Sequence, residues 1–563
     1  MWKLRSYDKK AESSFLEQGK GKLISRLLSQ RNIPVDKADT FLSSDYAFLP
    51  HPHTLTGVDK AAELFCKIAL AKGSVAIFGD YDCDGIIGST MLKELCDVFG
   101  LKSKVFLPLR SEHGYGLNEK SLTAFKEQVK SPTDLLIVLD CGSNNEEEVK
   151  DLKEFGFKKI IILDHHIIDE SKMSKSSDVL INWHLCNYEE TCACGEIFQF
   201  IRGIRWLTKK VNPVEFLTYA AIGIIGDVSP LNIPNRIIVK NGLTSYARNN
   251  IVASGLQALI NESWILGETL SQEDVSFKIV PKINATGRML NPMLSFDLLT
   301  EKDQVMAELK AKEIQDYNDQ RKKIQKEIEK EALSIVRGNL GKYKYGISIY
   351  KSHWNIGIVG IAASRISEIF CRPCILFGEN DGDVKGSARS LKGINIKEIL
   401  DSCSDMLIGH GGHELAAGAT MDPKYVDLFN DAFNEACHKY YEENFYPKET
   451  KYYDAEIKTK FVSTSVAKLL LENFYPYCRK DNPEPVFKME NVTITNSHLK
   501  EGEGWKLLKF SVEKDSEIVP FTFMKFSPDF GAEVNSLVAD IYFSFPQDIE
   551  KEELIVADII FKN

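Results

Sequence analysis

From about residue 55 the apolar positions of this chain follow two alternating rhythms. Short apolar runs end abruptly in polar residues: "SVAIFG" from Ser74, "KVFLP" from Lys104, "LLIVLD" from Leu135, "KIIILD" from Lys159 and "DVLIN" from Asp178. Between them lie stretches such as "GVDKAAELFCKIALAKG" and "STMLKELCDVFG", whose apolar residues recur at helical spacing before a closing glycine. A continuously apolar run predicts a strand buried on both faces, and strands separated by helical crossovers predict a parallel sheet covered by helices. A second alternation begins near residue 343 with "KYGISIY", "IGIVGIAASRISEIF" and "PCILFG". Past about residue 445 the pattern turns to alternating β, with "KLLKFSVEK", "IVPFTFMKF" and "IYFSF", as in an OB-fold barrel. The expected fold class is α/β, in five parts: a helical lead-in over 1–45, a parallel-sheet domain over 46–299, a long charged connecting helix over 300–338, a second α/β domain over 339–445, and an OB-fold-like β-barrel over 446–563.

Length supports several domains, because 563 residues exceed what one core serves. No apolar run reaches transmembrane length and the start "MWKLRSYDKK" carries no signal-peptide core, so no membrane is expected and the reading is cytoplasmic. The 12 cysteines are scattered. Cys186, Cys192 and Cys194 with His184 lack the paired spacing of structural zinc, and reduced thiols are expected. A net charge of −10 argues against a general basic coat but leaves room for a local basic groove beside a carboxylate-rich metal site.

The chemistry concentrates where strands end. "SVAIFG" runs into Asp80-Tyr81-Asp82-Cys83-Asp84-Gly85, "LLIVLD" ends at Asp140, and "KIIILD" ends at Asp164 followed by His165 and His166. The apolar helical run "YAAIGIIGDVSPL" ends in Asp227. Side chains past the carboxyl ends of parallel strands face the ligand crevice. If the first motif is extended, its alternating acids share one side and repel unless a cation neutralises them. Single acids of this kind also cap helices, but Asp82, Asp84, Asp140, Asp227 and His165 together suit two divalent ions, Mn²⁺ or Mg²⁺, with imidazole favouring Mn²⁺. Two such ions stabilise both sides of an in-line displacement at phosphorus.

"GDYDCDG", "LDCGSN", "DHH" and "GDVSPL", in this order, resemble the DHH phosphoesterase superfamily. "HGYGLN", "KINATGRM", "GIVGIAASRI", "KGSARS", "GHGGHELAAG" and "NPEPVF" are similar to its RecJ family of bacterial single-strand-specific 5′ to 3′ exonucleases, including a DHHA1 substrate-binding domain. The resemblance implies that Asp82 binds one metal and Asp84 the other, that Asp140 bridges them, and that His165 and Asp227 complete the second site. His166 would contact the scissile phosphate, with Asp80 and Asp164 one layer behind. It further implies substrate contacts from Arg110, Arg288, Arg365, Ser387, Arg389, Gly412 and His413. Asn318 and Arg321 on the long helix either touch substrate or form a solvated face. Tyr475, Tyr477, Phe487 and Trp505 are candidates for base stacking, against the core role that aromatics more often take. The chain departs from the family pattern at Cys478–Asp481, where glycines are usual, and at Trp354-Asn355 in place of Trp-His.

The activity so implied is two-metal hydrolysis of single-stranded DNA to mononucleotides in recombination and repair, by a monomer. A single-strand-binding protein and a RecQ-type helicase are the partners it suggests. Two alternatives stand beside it: a DHH phosphodiesterase for oligoribonucleotides or cyclic dinucleotides, and a non-catalytic replication or repair scaffold.

Overall fold

The apolar runs become strands where the pattern put them. The computed structural model describes residues 2–562 apart from 250–253, 266–268, 381, 445–449, 503–504, 515–516, 526–533 and 548–553. After a short strand β1 (Trp2–Leu4) and a helical lead-in come β2 (Ser74–Phe78), β3 (Lys102–Phe106), β4 (Leu135–Leu139), β5 (Ile160–Leu163) and β6 (Val179–Ile181). These last five form one parallel sheet in the order β3-β2-β4-β5-β6. Alternate residues enter separate cores: Ile77, Ile137 and Ile161 join one face, while Phe78, Val138 and Ile162 join the other, and all six are fully buried. Helices α1 (Cys83–Phe99), α2 (Ala193–Thr208) and α3 (Leu217–Gly226) pack together on the first face. No described helix is long and apolar enough to cross a membrane.

Helices α4 (Ile233–Asn249) and α5 (Val280–Met289) complete this region, and α6 (Gln304–Gly338) leaves it. At 35 residues, α6 spans about 50 Å. Its N-terminal half buries Ala307, Ala311 and Ile314 in the first core, and its C-terminal half buries Ile328, Ala332 and Val336 in the second domain. The second domain holds β7 (Ile347–Tyr350), α7 (Val359–Phe370), β8 (Cys374–Asn380), β9 (Asp383–Arg389), β10 (Leu407–Gly412) and β11 (Ala416–Met421), with sheet order β10-β11-β9-β8-β7.

Beyond β12 (Lys451–Tyr453) and β13 (Ala455–Glu456), strands β14 (Phe487–Gly502), β15 (Trp505–Lys514), β16 (Glu517–Lys525), β17 (Val538–Ser544) and β18 (Leu554–Phe561) close a barrel, because β14 pairs with both β15 and β17. The lead-in packs onto this barrel: β1 pairs with β12, and Phe15, Leu27 and Phe41 share a core with Phe487, Phe510 and Phe543. Asn482 of "NPEP" ties the two together. Its Oδ1 accepts from Arg31 Nε at 2.6 Å and its Nδ2 donates to the Pro476 carbonyl at 2.9 Å.

Arg236 of α4 joins the lead-in, the first domain and the barrel approach. It is fully buried and donates to the carbonyls of Phe41, Asn473, Phe474, Tyr475 and Pro476 at 2.8–3.1 Å. Burial lowers its pKa to about 9, and no described carboxylate forms an ion pair with it. Arg236→Met keeps the volume but strands these acceptors, at about 1–3 kcal/mol for each that finds no other donor. A marked drop in the urea midpoint is expected; an unchanged midpoint would mean that other donors replace the guanidinium.

Candidate active site

Adjacent strands β2, β4 and β5 bring the acids to one crevice, and local helix chemistry decides which way each one points. Here one sequence expectation is corrected. "DYDCDG" is not extended throughout: Asp82 is the N-cap of α1, its Oδ1 accepting from Asp84 N at 3.0 Å and Gly85 N at 3.2 Å. Asp84 is therefore helical, and its carboxylate turns to the start of α2, accepting from Ala193 N at 2.8 Å and Cys194 N at 2.9 Å. Asp80, Asp82 and Asp140 each offer a carboxylate oxygen, and these lie within 4.8 Å of one another. Gly85 permits this turn, since a Cβ there would stand 2.4 Å from the Asp80 carbonyl.

Asp140 is held in the left-handed region at φ 59° while its N–H donates to the Leu163 carbonyl at 2.9 Å. Asp is among the few residues that accept this conformation readily. Burial, reinforced by mutual repulsion, pushes Asp80 and Asp140 well above the usual carboxylate range and raises Asp82. Neither buried Asp80 oxygen has a partner at hydrogen-bond geometry, although the Tyr81 and Gly116 N–H groups favour its ionised form.

The two histidines divide. His165 Nε2 lies 3.2 Å from Asp140 Oδ1 and 4.0 Å from Asp227 Oδ1. Asp227 caps the end of α3 and accepts from Ser229 Oγ at 2.5 Å; burial pushes it up to about 7. His166 Nδ1 bonds Asp164 Oδ1 at 2.7 Å, while Asp164 Oδ2 accepts from Ser143 N at 2.8 Å. Burial opposes both charges, but the pair outweighs it, taking Asp164 down to about 2 and His166 up to about 9. Asp140, His165 and His166 form a second group of ligand atoms within 4.8 Å.

A cluster of arginines adjoins the acids through Tyr81, whose hydroxyl feels Arg110 and Arg288 as well as Asp80 and Asp82. The Arg110 guanidinium lies 5.4 Å from the Tyr81 ring centre. Arg288 Nη1 reaches the Gly357 carbonyl at 3.5 Å, and Arg389 Nη1 donates to Ser387 Oγ at 2.9 Å and the Ala388 carbonyl at 2.7 Å. Burial and then repulsion by Arg110 lower the pKa values of Arg288 (to about 10) and Arg389. Close backbone contact builds this corner: within the first domain a Cβ on Gly287 would stand 2.2 Å from the Tyr81 carbonyl, and between the domains one on Gly357 would stand 2.4 Å from that of Arg288. No described carboxylate forms an ion pair with Arg110, Arg288 or Arg389, so the cluster suits a polyanion.

Other expected contacts fall further out. Arg365 Nη1 is 3.7 Å from Glu368 of its own helix. The "GHGGHELAAG" segment, read as a loop, is a hairpin of β10 and β11, and exposed Gly412 and His413 sit at its turn. His413 N bonds the Ala416 carbonyl at 2.8 Å, and Ala416 is in register with Arg389. Asn318 is not on a solvated face: it is 2% exposed and accepts from Arg321 Nη2 at 3.0 Å. Phe487 and Tyr477 are buried, and the Tyr475 hydroxyl accepts from Gln272 N, so these three are packing residues. The side chain of Trp505 lies outside the described residues. Sequence reasoning missed Tyr81, Tyr115, Asn182 and Ser229. Tyr81 and Tyr115 stood inside quoted motifs, but their partners come from distant segments.

Residues 74–224 match the DHH family, N-terminal domain, and residues 342–439 match the DHHA1 domain. The chain is similar to the single-stranded-DNA-specific exonuclease RecJ of Bacillus subtilis (strain 168), 31% identical over 501 residues, 88% of this chain and 62% of that protein. The corresponding Haemophilus influenzae protein is 28% identical over 434 residues, 73% of this chain and 74% of its own. The crystal structure of RecJ in complex with Mn²⁺ from Thermus thermophilus shares the fold with a TM-score of 0.81 at 22% identity, covering 100% of this chain and 80% of that one. The chain thus carries a DHH domain that holds most of the acids and a DHHA1 domain that holds part of the arginine cluster, and over most of its length it is similar to RecJ proteins, spanning 62% of the Bacillus subtilis one.

Proposed function

We propose that this chain is a metal-dependent exodeoxyribonuclease that degrades single-stranded DNA from the 5′ end to mononucleotides, in recombination and repair. The observation that carries this reading is a carboxylate–imidazole cluster joined through Tyr81, which feels the charges of Asp80, Asp82, Arg110 and Arg288, to an arginine cluster with no ion-paired carboxylate among the described residues. The donor set fits divalent ions: buried acids that repel one another, an Asp80 carboxylate without hydrogen-bond partners, and an imidazole at its edge favour Mn²⁺ or Mg²⁺. Asp82 and Asp140 would hold one ion, with Asp80 beside them, and Asp84, Asp140, His165 and Asp227 the other. Asp84 also anchors α2 through the Ala193 and Cys194 amides. When bound, the ions supply Lewis acidity toward the phosphoryl oxygens and acidify the attacking water.

The chain's own residues supply orientation. Asp164 fixes His166 so that Nε2 faces the cluster, where it can donate to the scissile phosphate. Arg110, Arg288 and Arg389, with Ser387, grip a phosphate of the strand, and Tyr81 lies between the two clusters. The five-part division given above, a cytoplasmic monomer, and partners of the single-strand-binding and RecQ-helicase kinds complete the proposal.

The test is release of label from oligonucleotides labelled at either end, with Mn²⁺, Mg²⁺ or EDTA. Metal-dependent loss of 5′ label as mononucleotide is expected, faster on a 5′ overhang than on a blunt duplex. Equal rates on both ends or both substrates would sink the polarity and strand preference. Cleavage of dinucleotides alone would favour the small-substrate enzyme, and no hydrolysis by a folded, metal-loaded chain would favour the scaffold.

A further inference from the structure

His166 has two ring nitrogens, and both are engaged. Nδ1 is committed to Asp164, so only Nε2 can reach a substrate anion. That nitrogen is met by the Tyr115 hydroxyl at 2.7 Å, and the same hydroxyl lies 3.5 Å from the Asp140 carbonyl. A polar oxygen from the protein thus stands between the imidazole and the metal-ligand loop, where a phosphate oxygen has to arrive.

The segment carrying Tyr115 is braced in its backbone and open at its ring. Asn118 Nδ2 donates to the carbonyls of His113 at 2.9 Å and Tyr115 at 3.1 Å, and Ser121 Oγ donates to that of Gly116 at 2.8 Å. Gly114 and Gly116 take φ values of 79° and 61°, which fix the bend. Tyr115 itself is 50% exposed, and its ring meets those of Tyr81 and His166 edge-on, at 6.3 and 5.8 Å between centres. On the far side, Asn182 Nδ2 holds the His166 carbonyl at 2.9 Å. The imidazole therefore has fixed backbone and Nδ1 contacts and one displaceable contact.

We propose that Tyr115 is a positioning residue for His166, its hydroxyl keeping the imidazole aimed at the cluster and occupying the seat that a substrate phosphate oxygen takes. This rests on the reading of the site as a phosphodiester hydrolase. A phenol suits the task, because its oxygen is uncharged whereas a phosphate oxygen carries negative charge, so Nε2 bonds the phosphate oxygen more strongly than the hydroxyl. The hydroxyl holds the ring at rest and yields on binding.

Tyr115→Phe keeps the ring and removes the hydroxyl. On 5′-labelled single-stranded DNA with Mn²⁺, KM is expected to fall about 3- to 10-fold, since binding no longer displaces a hydrogen bond. At the same time kcat is expected to change by less than about 2-fold, because the hydroxyl has already left Nε2 in the bound state. A raised KM at constant kcat would show the ring to be a simple substrate contact, and no change in either would show the bond to be idle; both overturn the proposal. A second readout needs no activity. In metal-free protein labelled with ¹⁵N-histidine, the His166 Nε2 resonance should shift in Tyr115→Phe, and inorganic phosphate should bind that variant more tightly than the parent. An unshifted resonance refutes the proposal even in an active enzyme; a shifted resonance in a protein that hydrolyses no DNA refutes the functional reading instead.

Discussion

Replacing Asp140 with Asn should abolish hydrolysis while making the metal-free protein more stable, and the opposite signs are the point of the experiment. Asp140 belongs to both ligand groups, so one neutralised carboxylate weakens both at once. The loss in kcat/KM on single-stranded DNA with Mn²⁺ should exceed the about 10- to 100-fold typical of an outer partner. Asn is the right replacement because the backbone there sits at φ 59°, which Asn accepts and Ala resists. Stability should move the other way. Burial and four neighbouring acids hold the Asp140 carboxyl well above its usual range, a penalty the amide does not carry, so the gain in midpoint should grow toward pH 8. Activity within tenfold of the parent would remove Asp140 from the reaction centre. Lost activity with lowered stability would mean that the substitution had damaged the fold.

What could be read from the sequence was what depends on local pattern. Runs such as Ile160–Leu163 are buried on both faces, so their continuous apolarity marked both the strand and its interior place in a parallel sheet. The acids at their ends followed from the rule that such strands open onto a crevice. Asp84 shows where pattern stops being sufficient. Its spacing from Asp82 suggested a shared face, but an Asp followed by Cys-Asp-Gly is equally an N-cap, and the helix start rotated Asp84 toward amides contributed 109 residues later in the chain. Arg236 and Asn482 were invisible as structural hubs because their partners are backbone carbonyls and an arginine brought in by tertiary folding, and backbone acceptors leave no mark on sequence. Asn318 is the converse case: a charged helix looks solvated until a second domain packs against it.

The second large effect is the pH dependence of the metal-free fold. For each raised acid the folded state binds a proton that the unfolded chain, at the ordinary value of about 3.8, has already released. The unfolded state then carries fewer protons, so stability is fully present below about pH 4 and falls as pH rises. For Asp227 the fall runs to about pH 7, and Asp80 and Asp140, raised well above the usual carboxylate range, act in the same sense. Each group removes about 1.4 kcal/mol per pH unit within its own window. Glu484, which burial lifts to about 7, acts in the same sense, and so does His166, whose contribution is lost between 6.5 and about 9. Asp164 opposes them, being lowered to about 2, but its contribution is lost only as pH falls below 3.8. The unfolding midpoint of EDTA-treated protein should therefore fall steadily from pH 5 to pH 8. Mn²⁺ reverses the trend, because it binds the ionised carboxylates and so binds more tightly as pH rises. The midpoint gained on adding Mn²⁺ should be several degrees larger at pH 8 than at pH 6, and Asp140→Asn should lose most of that difference. A metal-free midpoint that stays level or climbs across this range would mean that these carboxylates titrate normally in the fold, and the case for a cation-demanding cluster would fall with it.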